Sequence, residues 1–452
     1  MTVKKIDARQ IALKVINDIE EKGAYANIAL AQEIKKWSSE GQLSEQDRRF
    51  ITELVYGTVK TIATLDWMLS HYLSRPLAKV APAIRNILRL GMYQLFFLDK
   101  VPASAACNQS VELAKKFGHA GTVKFVNGVL RSASRNPEKV IYPDKKTEPA
   151  KYLALKYFHP EWLVERWLKR LGPVACEQLC ITNNTVPPLS IRTNTIKITR
   201  SELLHRLANE GVNCQASKWA PEGILCYEHS GLNTLESLKA GLFQVQDESS
   251  MLVAHVLDPQ PGEFIIDACG APGGKTTHIA ALMNNTGQVL STDIYEHKLA
   301  LTRENSERLG LTNIKTRALD AVTLDSLYTL KADRVLVDAP CSGLGVLRRK
   351  PDSRWRKSEV TLKELPKLQA AILASAAECV KPGGVLVYST CTTEPEENQQ
   401  IVESFLQTHT AFSLETAGQY LPGQKRSEIM LQLWPHTDGV DGFFIARMTR
   451  QK

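Results

Sequence analysis

Hydrophobic positions along the chain change their period twice. Over the first third they recur every three or four residues: Ile11, Val15 and Ile19; Ile51, Leu54, Val55 and Val59; Ile84, Ile87, Leu88 and Leu95. That spacing lines one face of a helix and predicts an all-helical region. Ser44-Glu45-Gln46-Asp47 has the form of a capping box, and Pro76, Pro82 and Pro102 stand where helices start or stop. Residues 136–149 are polar, proline-bearing and without period, which predicts a linker. The stretch 150–245 is mixed, with a helix opening at Pro160–Trp167, a short strand at Leu189–Asn194 and a helix over Thr199–Glu210. From 246 onward, buried-type strands at 263–268, 288–293, 333–338 and 385–389 alternate with helical stretches at 298–309 and 365–380, and a late strand follows at 443–448. Such alternation predicts a doubly wound parallel sheet, which binds ligands at the carboxyl ends of its strands.

Composition narrows the class. At 452 residues, 43% hydrophobic and 23% charged, the chain is long enough for several cores and too apolar for extended disorder. The longest apolar runs, Leu90–Leu98 and Ala370–Val380, fall short of the roughly 18–20 residues that span a bilayer. Met1–Asp7 runs into the amphipathic pattern with no hydrophobic signal core, so a cytoplasmic protein without a membrane partner is expected. The nine cysteines are scattered and include no Cys-x-x-Cys; Cys176 and Cys180 read as neighbours on one helix face, and no metal is expected. Free thiols are therefore available for chemistry. Charge is uneven: residues 1–150 hold 23 Lys/Arg against 15 Asp/Glu, whereas the remainder balances. The whole excess of +8 lies in the helical third. A polyanion-binding module and a merely solvated basic face fit this about equally.

Candidate chemistry gathers in the last third. Asp267-Ala268-Cys269-Gly270-Ala271-Pro272-Gly273-Gly274-Lys275-Thr276 follows a strand and opens a helix, and its glycines allow close approach of a ligand. A phosphate-binding Walker loop would need Gly at 269, where Cys stands, and the Gly-x-Gly-x-x-Gly dinucleotide spacing is absent. An S-adenosylmethionine loop remains. Asp293, ending the next strand, can accept from both ribose hydroxyls, and Asp320 is placed to meet the adenine amino group. A helix cap or turn would explain either acid alone. Asp338-Ala339-Pro340-Cys341 closes the strand at 333–338, where enzymes that methylate amines typically carry an Asn/Asp-Pro-Pro-aromatic loop; Ser389-Thr390-Cys391-Thr392 closes the strand at 385–389. Two thiols at neighbouring strand ends exceed what packing predicts, in contrast to Cys107, Cys214 and Cys379. Arg348-Arg349-Lys350 and Arg354-Trp355-Arg356-Lys357 follow the Cys341 loop and suit phosphate contact and base stacking. Thr393-Glu394-Pro395-Glu396 reads as a capping box, and Glu397-Asn398 as a support for the Cys391 loop.

These blocks carry two resemblances. Asp47-Arg48-Arg49-Phe50, Glu53–Gly57, Ile87–Leu90, Val101–Ala103, Val111–Lys115 and Phe125-Val126-Asn127-Gly128-Val129-Leu130 resemble the NusB family over about 130 residues. That likeness implies a helical RNA-binding domain, in keeping with the basic excess. The loops around Cys269, Cys341 and Cys391, with Val245–Ser250 and Asp441–Phe444, resemble the NOL1/NOP2/Sun family of RNA cytosine-5 methyltransferases; Gly270 departs from the usual Ala. Together they imply a multidomain chain. A NusB-like all-α domain occupies 1–145 and a small α/β linker domain 146–240; an α/β Rossmann-like S-adenosylmethionine-dependent methyltransferase domain follows over 241–452.

The implied substrate is 16S rRNA, at cytidine 967, bound by a monomer. Other rRNA sites, tRNA, and a NusB-type adaptor without catalysis are the alternatives. Cofactor contacts are implied at Cys269, Gly270, Ala271, Pro272, Gly273, Gly274, Lys275, Asp293, Asp320 and Asp338. Residue chemistry does not rank the two thiols. The resemblance makes Cys391 the nucleophile and Cys341 the group that assists product release, with Asp338 holding the base and Lys275 polarising it. For Lys275 a surface cation beside the helix is the plain alternative.

Overall fold

The computed structural model describes residues 7–39, 43–228, 231–423 and 425–452. Met1–Ile6, read above for the lack of a signal core, lie outside the described residues. The chain divides into two compact units, one of residues 1–184 with 349–356, the other of 185–348 with 357–452.

In the first unit, helices Ala8–Lys22, Ala26–Ser39, Glu45–Lys60, Ile62–Ser70, Pro82–Phe97, Ala103–Phe117 and Ala120–Arg135 surround a core that includes Leu13, Leu54, Val55, Ile87, Leu88 and Leu130. The expected capping box forms: Ser44 Oγ accepts from the Asp47 amide at 3.1 Å, and Asp47 accepts in return from the Ser44 amide. Pro82 is the first residue of its helix and Pro102 directly precedes another. Gly57 is required by close packing, because a Cβ there would lie 2.0 Å from the ring of Tyr93. Arg89 is buried but compensated, donating to both Asp66 carboxylate oxygens at 2.6 Å and to Glu20 at 2.9 Å. Helices Pro149–Tyr157 and Glu161–Thr182 join this unit, the second broken at Gly172 before Pro173.

Three arginines correct the expectation that the whole basic run faces RNA. Arg354 is fully buried in the helical unit, donating to the carbonyls of Phe158 (2.7 Å) and Asn183 (3.2 Å) and to Asn184 Oδ1 (3.0 Å). Arg356 donates to the Gly23 carbonyl at 2.8 Å, and the buried Asp352 accepts from the Ala26 amide at 3.2 Å. Arg348, in the second unit, is ion-paired with Asp441. A basic run that satisfies backbone carbonyls serves as a staple, and its sequence alone does not distinguish that from phosphate binding.

The second unit holds two sheets. The smaller is antiparallel, with Leu189–Thr193 between Gly223–Glu228 and Phe243–Val245, and Asn213–Ala216 outside Gly223–Glu228. Ile191, Leu203, Leu207, Ile224 and Phe243 form its core. The larger has β1 (Phe264–Asp267), β2 (Gln288–Asp293), β3 (Ile314–Ala318), β4 (Ala332–Asp338), β5 (Val380–Thr390), β6 (Phe412–Glu415), β7 (Met430–Leu433) and β8 (Phe443–Arg450). Its order is β6-β8-β5-β4-β1-β2-β3, with β7 also pairing β8. Strands β1 to β5 are parallel, as expected; β8 runs antiparallel to β5, so the sheet is mixed rather than wholly parallel. Hydrophobic alternation reports burial and carries no information on strand direction, which the connections set. No helix among the described residues is long and apolar enough to cross a membrane.

Candidate active site

The site assembles at the carboxyl ends of β1, β2, β4 and β5. Asp267 ends β1 fully buried and accepts from the Thr276 hydroxyl at 2.7 Å. Burial pushes its carboxyl up to about 7, the Thr276 hydroxyl opposing and the Asp338 charge adding. The following loop is pinned by the Gly270 amide on Thr292 O (2.9 Å) and the Gly273 amide on Gly270 O (2.8 Å). Gly270 leaves no room for a side chain: a Cβ would lie 2.3 Å from Ser291 Oγ and 2.7 Å from Thr276 Oγ1. The Ser291 hydroxyl thus fills the space an alanine methyl would need. Gly273, at φ 97°, opens the helix Gly274–Leu282.

Carboxylates ring this loop. Burial, then the charges of Asp267, Asp338, Asp293 and Asp320, push the Cys269 thiol above its usual range. Asp293 Oδ1 accepts from the Tyr295 amide at 2.9 Å and Asp320 Oδ1 from the Val322 amide at 3.2 Å. Each acid therefore makes the local turn that its sequence position allows, and no described residue donates to either Oδ2. Pro272 is exposed at the rim, and Ala271 beside it is half-buried. A ring of acids disfavours polyphosphate and suits a ligand bearing positive charge, amines and hydroxyls.

Lys275 is the cation of the site and not a surface residue. Its side chain is 12% exposed and its Nζ donates to Asp338 Oδ2 at 2.7 Å, above the Phe443 ring. Burial works against the ammonium, but Asp338 and then Cys391 outweigh it and raise its pKa. Asp338 Oδ1 accepts from the Ser389 hydroxyl at 2.9 Å.

The two motif thiols meet, with Sγ of Cys341 and Cys391 3.4 Å apart. Parallel pairing of β4 with β5, in register at Asp338 and Ser389, sets their loops side by side. The hydrogen bond to Cys391, then burial, raise the Cys341 thiol well above its usual range. A thiolate beside a thiol donor and an ammonium is an activated nucleophile.

Supports for the two loops differ from the expectation. Glu397, fully buried, holds the Cys341 loop, accepting from the Ser342 amide at 2.7 Å and from the Ser342 hydroxyl. Gln369 bridges Glu397 and the Pro340 carbonyl at 3.0 Å each. Asn398 does hold the Cys391 loop, donating to Thr392 O at 3.0 Å and accepting from the Thr390 hydroxyl at 2.5 Å. No capping box forms at 393–396; a short 3₁₀ turn, Pro395–Glu397, stands there instead, and the next helix begins only at Gln399. The Gly345 amide donates to Cys391 O at 3.0 Å, and the Gly442 amide to Gly345 O at 2.9 Å, which gives the Asp441-Gly442 motif its place.

Two further features lacked a sequence signal. Arg192, fully buried on the small sheet, donates to Gly274 O at 2.7 Å and Thr277 Oγ1 at 2.9 Å, and so anchors the helix behind the glycine loop. Glu222 bridges His255 Nε2 (3.0 Å) and His278 Nε2 (2.8 Å), and all three donor atoms lie within 4.8 Å of one another. Burial opposes ionisation of Glu222, but the two histidines outweigh it and lower its pKa. Its three segments are far apart in sequence, so no spacing announces them.

Comparison with known proteins extends these observations. Residues 254–449 match the family described as 16S rRNA methyltransferase RsmB/F, 6–135 the NusB family, and 159–230 the ferredoxin-like domain of RsmF/B-like methyltransferases. A probable ribosomal RNA small subunit methyltransferase B of Bacillus subtilis (strain 168) is 41% identical, covering 99% of this chain and 100% of its own. Ribosomal RNA small subunit methyltransferase B of Yersinia pseudotuberculosis (strain YPIII) is 34% identical, with 98% of each chain covered. Among solved structures, PH0851 superposes with a TM-score of 0.82 at 27% identity over 99% of both chains. NSun6 from Pyrococcus horikoshii, solved with SFG, gives 0.58 at 26% identity over 65% of this chain and 98% of its own.

Proposed function

Since the chain belongs to the ribosomal RNA small subunit methyltransferase B family, we propose that it methylates carbon 5 of a cytidine in 16S rRNA through a covalent adduct of Cys391, expected at position 967. The observation that carries this reading is the thiol pair, 3.4 Å apart, beside the Lys275–Asp338 ion pair. Carbon 5 of cytosine is a poor nucleophile until carbon 6 is attacked, and methylation of an amine would need no thiol at all.

S-adenosylmethionine fits the acids around the glycine loop, and when bound it supplies an electrophilic methyl group. Asp293 and Asp320 would hold its ribose and adenine ends, with residues 269–275 as the floor. The chain's own residues do the rest. Asp338 orients the amino edge of the base, and Lys275 pairs with Asp338 and favours the thiolate of Cys391. Cys391 adds to carbon 6, which makes carbon 5 enamine-like and able to take the methyl group. A base then takes the carbon 5 proton, the freed electron pair re-forms the double bond between carbons 5 and 6 as the bond to Cys391 breaks, and Cys341, in contact with the departing sulfur, assists that release. The basic excess of residues 1–150 supports RNA binding by the NusB-like region, with the domain limits 1–145, 146–240 and 241–452.

Bisulfite sequencing of small-subunit rRNA from a strain lacking this protein tests the reading. One protected cytidine should disappear and return with the wild-type gene. Loss of a tRNA mark instead would move the substrate, and unchanged RNA throughout would overturn the enzyme. Calorimetry is expected to give binding of S-adenosylmethionine and none of ATP or NAD.

A further inference from the structure

The two thiols have a second chemistry open to them, oxidation. Their sulfurs are in van der Waals contact at 3.4 Å, and both residues are partly exposed, whereas Cys107, Cys176, Cys180, Cys226 and Cys379 are buried. Glu397 and Asn398 pin their loops from below, which keeps the sulfurs together. Lys275 supplies a cation that favours a thiolate at Cys391, and contact with Cys391 raises the Cys341 thiol well above its usual range. A cation-supported thiolate touching a neutral thiol is the arrangement of an attacking and a resolving cysteine.

We propose that Cys341 and Cys391 form an oxidative modification site, at which hydrogen peroxide converts the pair to a disulfide that blocks the enzyme until a thiol reopens it. The Cys391 thiolate attacks one peroxide oxygen; the S–O bond forms, the O–O bond breaks, and hydroxide leaves with a proton as water. Cys341 sulfur then attacks the Cys391 sulfenic acid. The S–S bond forms, the S–O bond breaks, and the Cys341 proton leaves with the hydroxyl group as a second water. Two thiols are oxidised, and one peroxide is reduced to two waters. Reduction by an external thiol proceeds by exchange and restores both groups. The resolving thiol also protects Cys391, because a sulfenic acid consumed at once does not go on to the irreversible sulfinic state.

A second close pair provides the control. Cys214 and Cys226 face each other across two strands of the small sheet with sulfurs 3.2 Å apart, away from Lys275 and the reacting groups. The inference rests on the proposed function only for its consequence, loss of methylation; the disulfide is read independently.

The experiment treats the full-length protein with hydrogen peroxide, blocks remaining thiols in denaturant, and maps peptides without reduction while methylation of 16S rRNA is followed in parallel. The expected result is a linked peptide pair containing Cys341 and Cys391, lost methylation, and recovery of both on adding dithiothreitol. The double variant Cys214→Ser/Cys226→Ser should keep its activity and its sensitivity to peroxide. In Cys341→Ser, mass spectrometry should find Cys391 as sulfinic acid that dithiothreitol does not reverse. Free Cys341 beside overoxidised Cys391 in the wild type, or both thiols still open to alkylation after peroxide, would overturn the site. So would resistance to peroxide in the Cys214/Cys226 variant. A linked pair in a protein that never methylates cytosine would instead overturn the function and leave the oxidation site standing.

Discussion

The acid side of the site and its thiol side are built by different means. Asp293 and Asp320 are each fixed by a backbone amide two residues away, so their placement is almost entirely local. Cys341 and Cys391 are fixed by Glu397, Gln369, Asn398 and Gly345, partners that the sheet brings in from other segments or from the next loop. The acids can therefore bind a ligand wherever their strands end, but the thiols can cooperate only if two strands pair in one register. Binding groups tolerate looser placement than reacting groups, for which displacements of about 1 Å can cost a hundredfold in rate.

Variants on the two sides should separate chemistry from binding. Cys391→Ala is expected to lose methylation by roughly 10⁴-fold or more and to form no protein–RNA adduct, with S-adenosylmethionine affinity unchanged by calorimetry. Cys341→Ala should still attack and transfer, then stall, and so accumulate an adduct that survives a denaturing gel. The reverse pattern, trapping in Cys391→Ala, would exchange the two roles. On the acid side, Asp293→Ala should weaken S-adenosylmethionine binding by about 1.5–3 kcal/mol, roughly tenfold to a hundredfold, while leaving adduct formation by the bound enzyme intact. If it abolishes turnover at saturating cofactor, the division between the two sides fails.

Smaller effects sharpen the same contrast. Glu397→Ala strands the Ser342 amide, and a buried unsatisfied donor costs about 1–3 kcal/mol, seen as a lower melting temperature and a lower kcat at unchanged cofactor affinity. Glu397→Gln keeps an acceptor for Ser342 but removes a negative charge near Cys341; its thiol should then react with iodoacetamide at lower pH than in the wild type. An unchanged alkylation profile would limit Glu397 to geometry. Gly270→Ala is expected to cost a comparable ~1–3 kcal/mol of stability through overpacking, with part recovered by Ser291→Ala in the same chain. A neutral Gly270→Ala in thermal denaturation would show that the loop relaxes at no cost.

What was legible follows from how local each feature is. Strand β2 falls at the predicted 288–293, and β1, β4 and β5 lie within a few residues of expectation, because a buried parallel strand declares itself by a continuous apolar run. The Ser44 cap was equally plain, since all its atoms lie within four residues. Strands β6 and β7, four residues each, are too short to show a period. Sequence proximity points Glu397 to the Cys391 loop, whereas its partner in space, Ser342, is 55 residues away. Arg354 failed in the same way: a basic run reads as phosphate-binding until its guanidinium is found on buried carbonyls.

By itself the sequence determined which side chains are candidates for the chemistry, which segments are helix or strand, and where the positive charge lies. Those properties belong to residues and short windows, where side-chain type and hydrophobic period act directly. Only the tertiary structure decided that the two thiols touch, that Lys275 turns inward to Asp338, that Ser291 fills the space above Gly270, and that Arg192 anchors the glycine-loop helix. Each of these depends on strand order and register, which pairing between distant segments sets and no short window encodes.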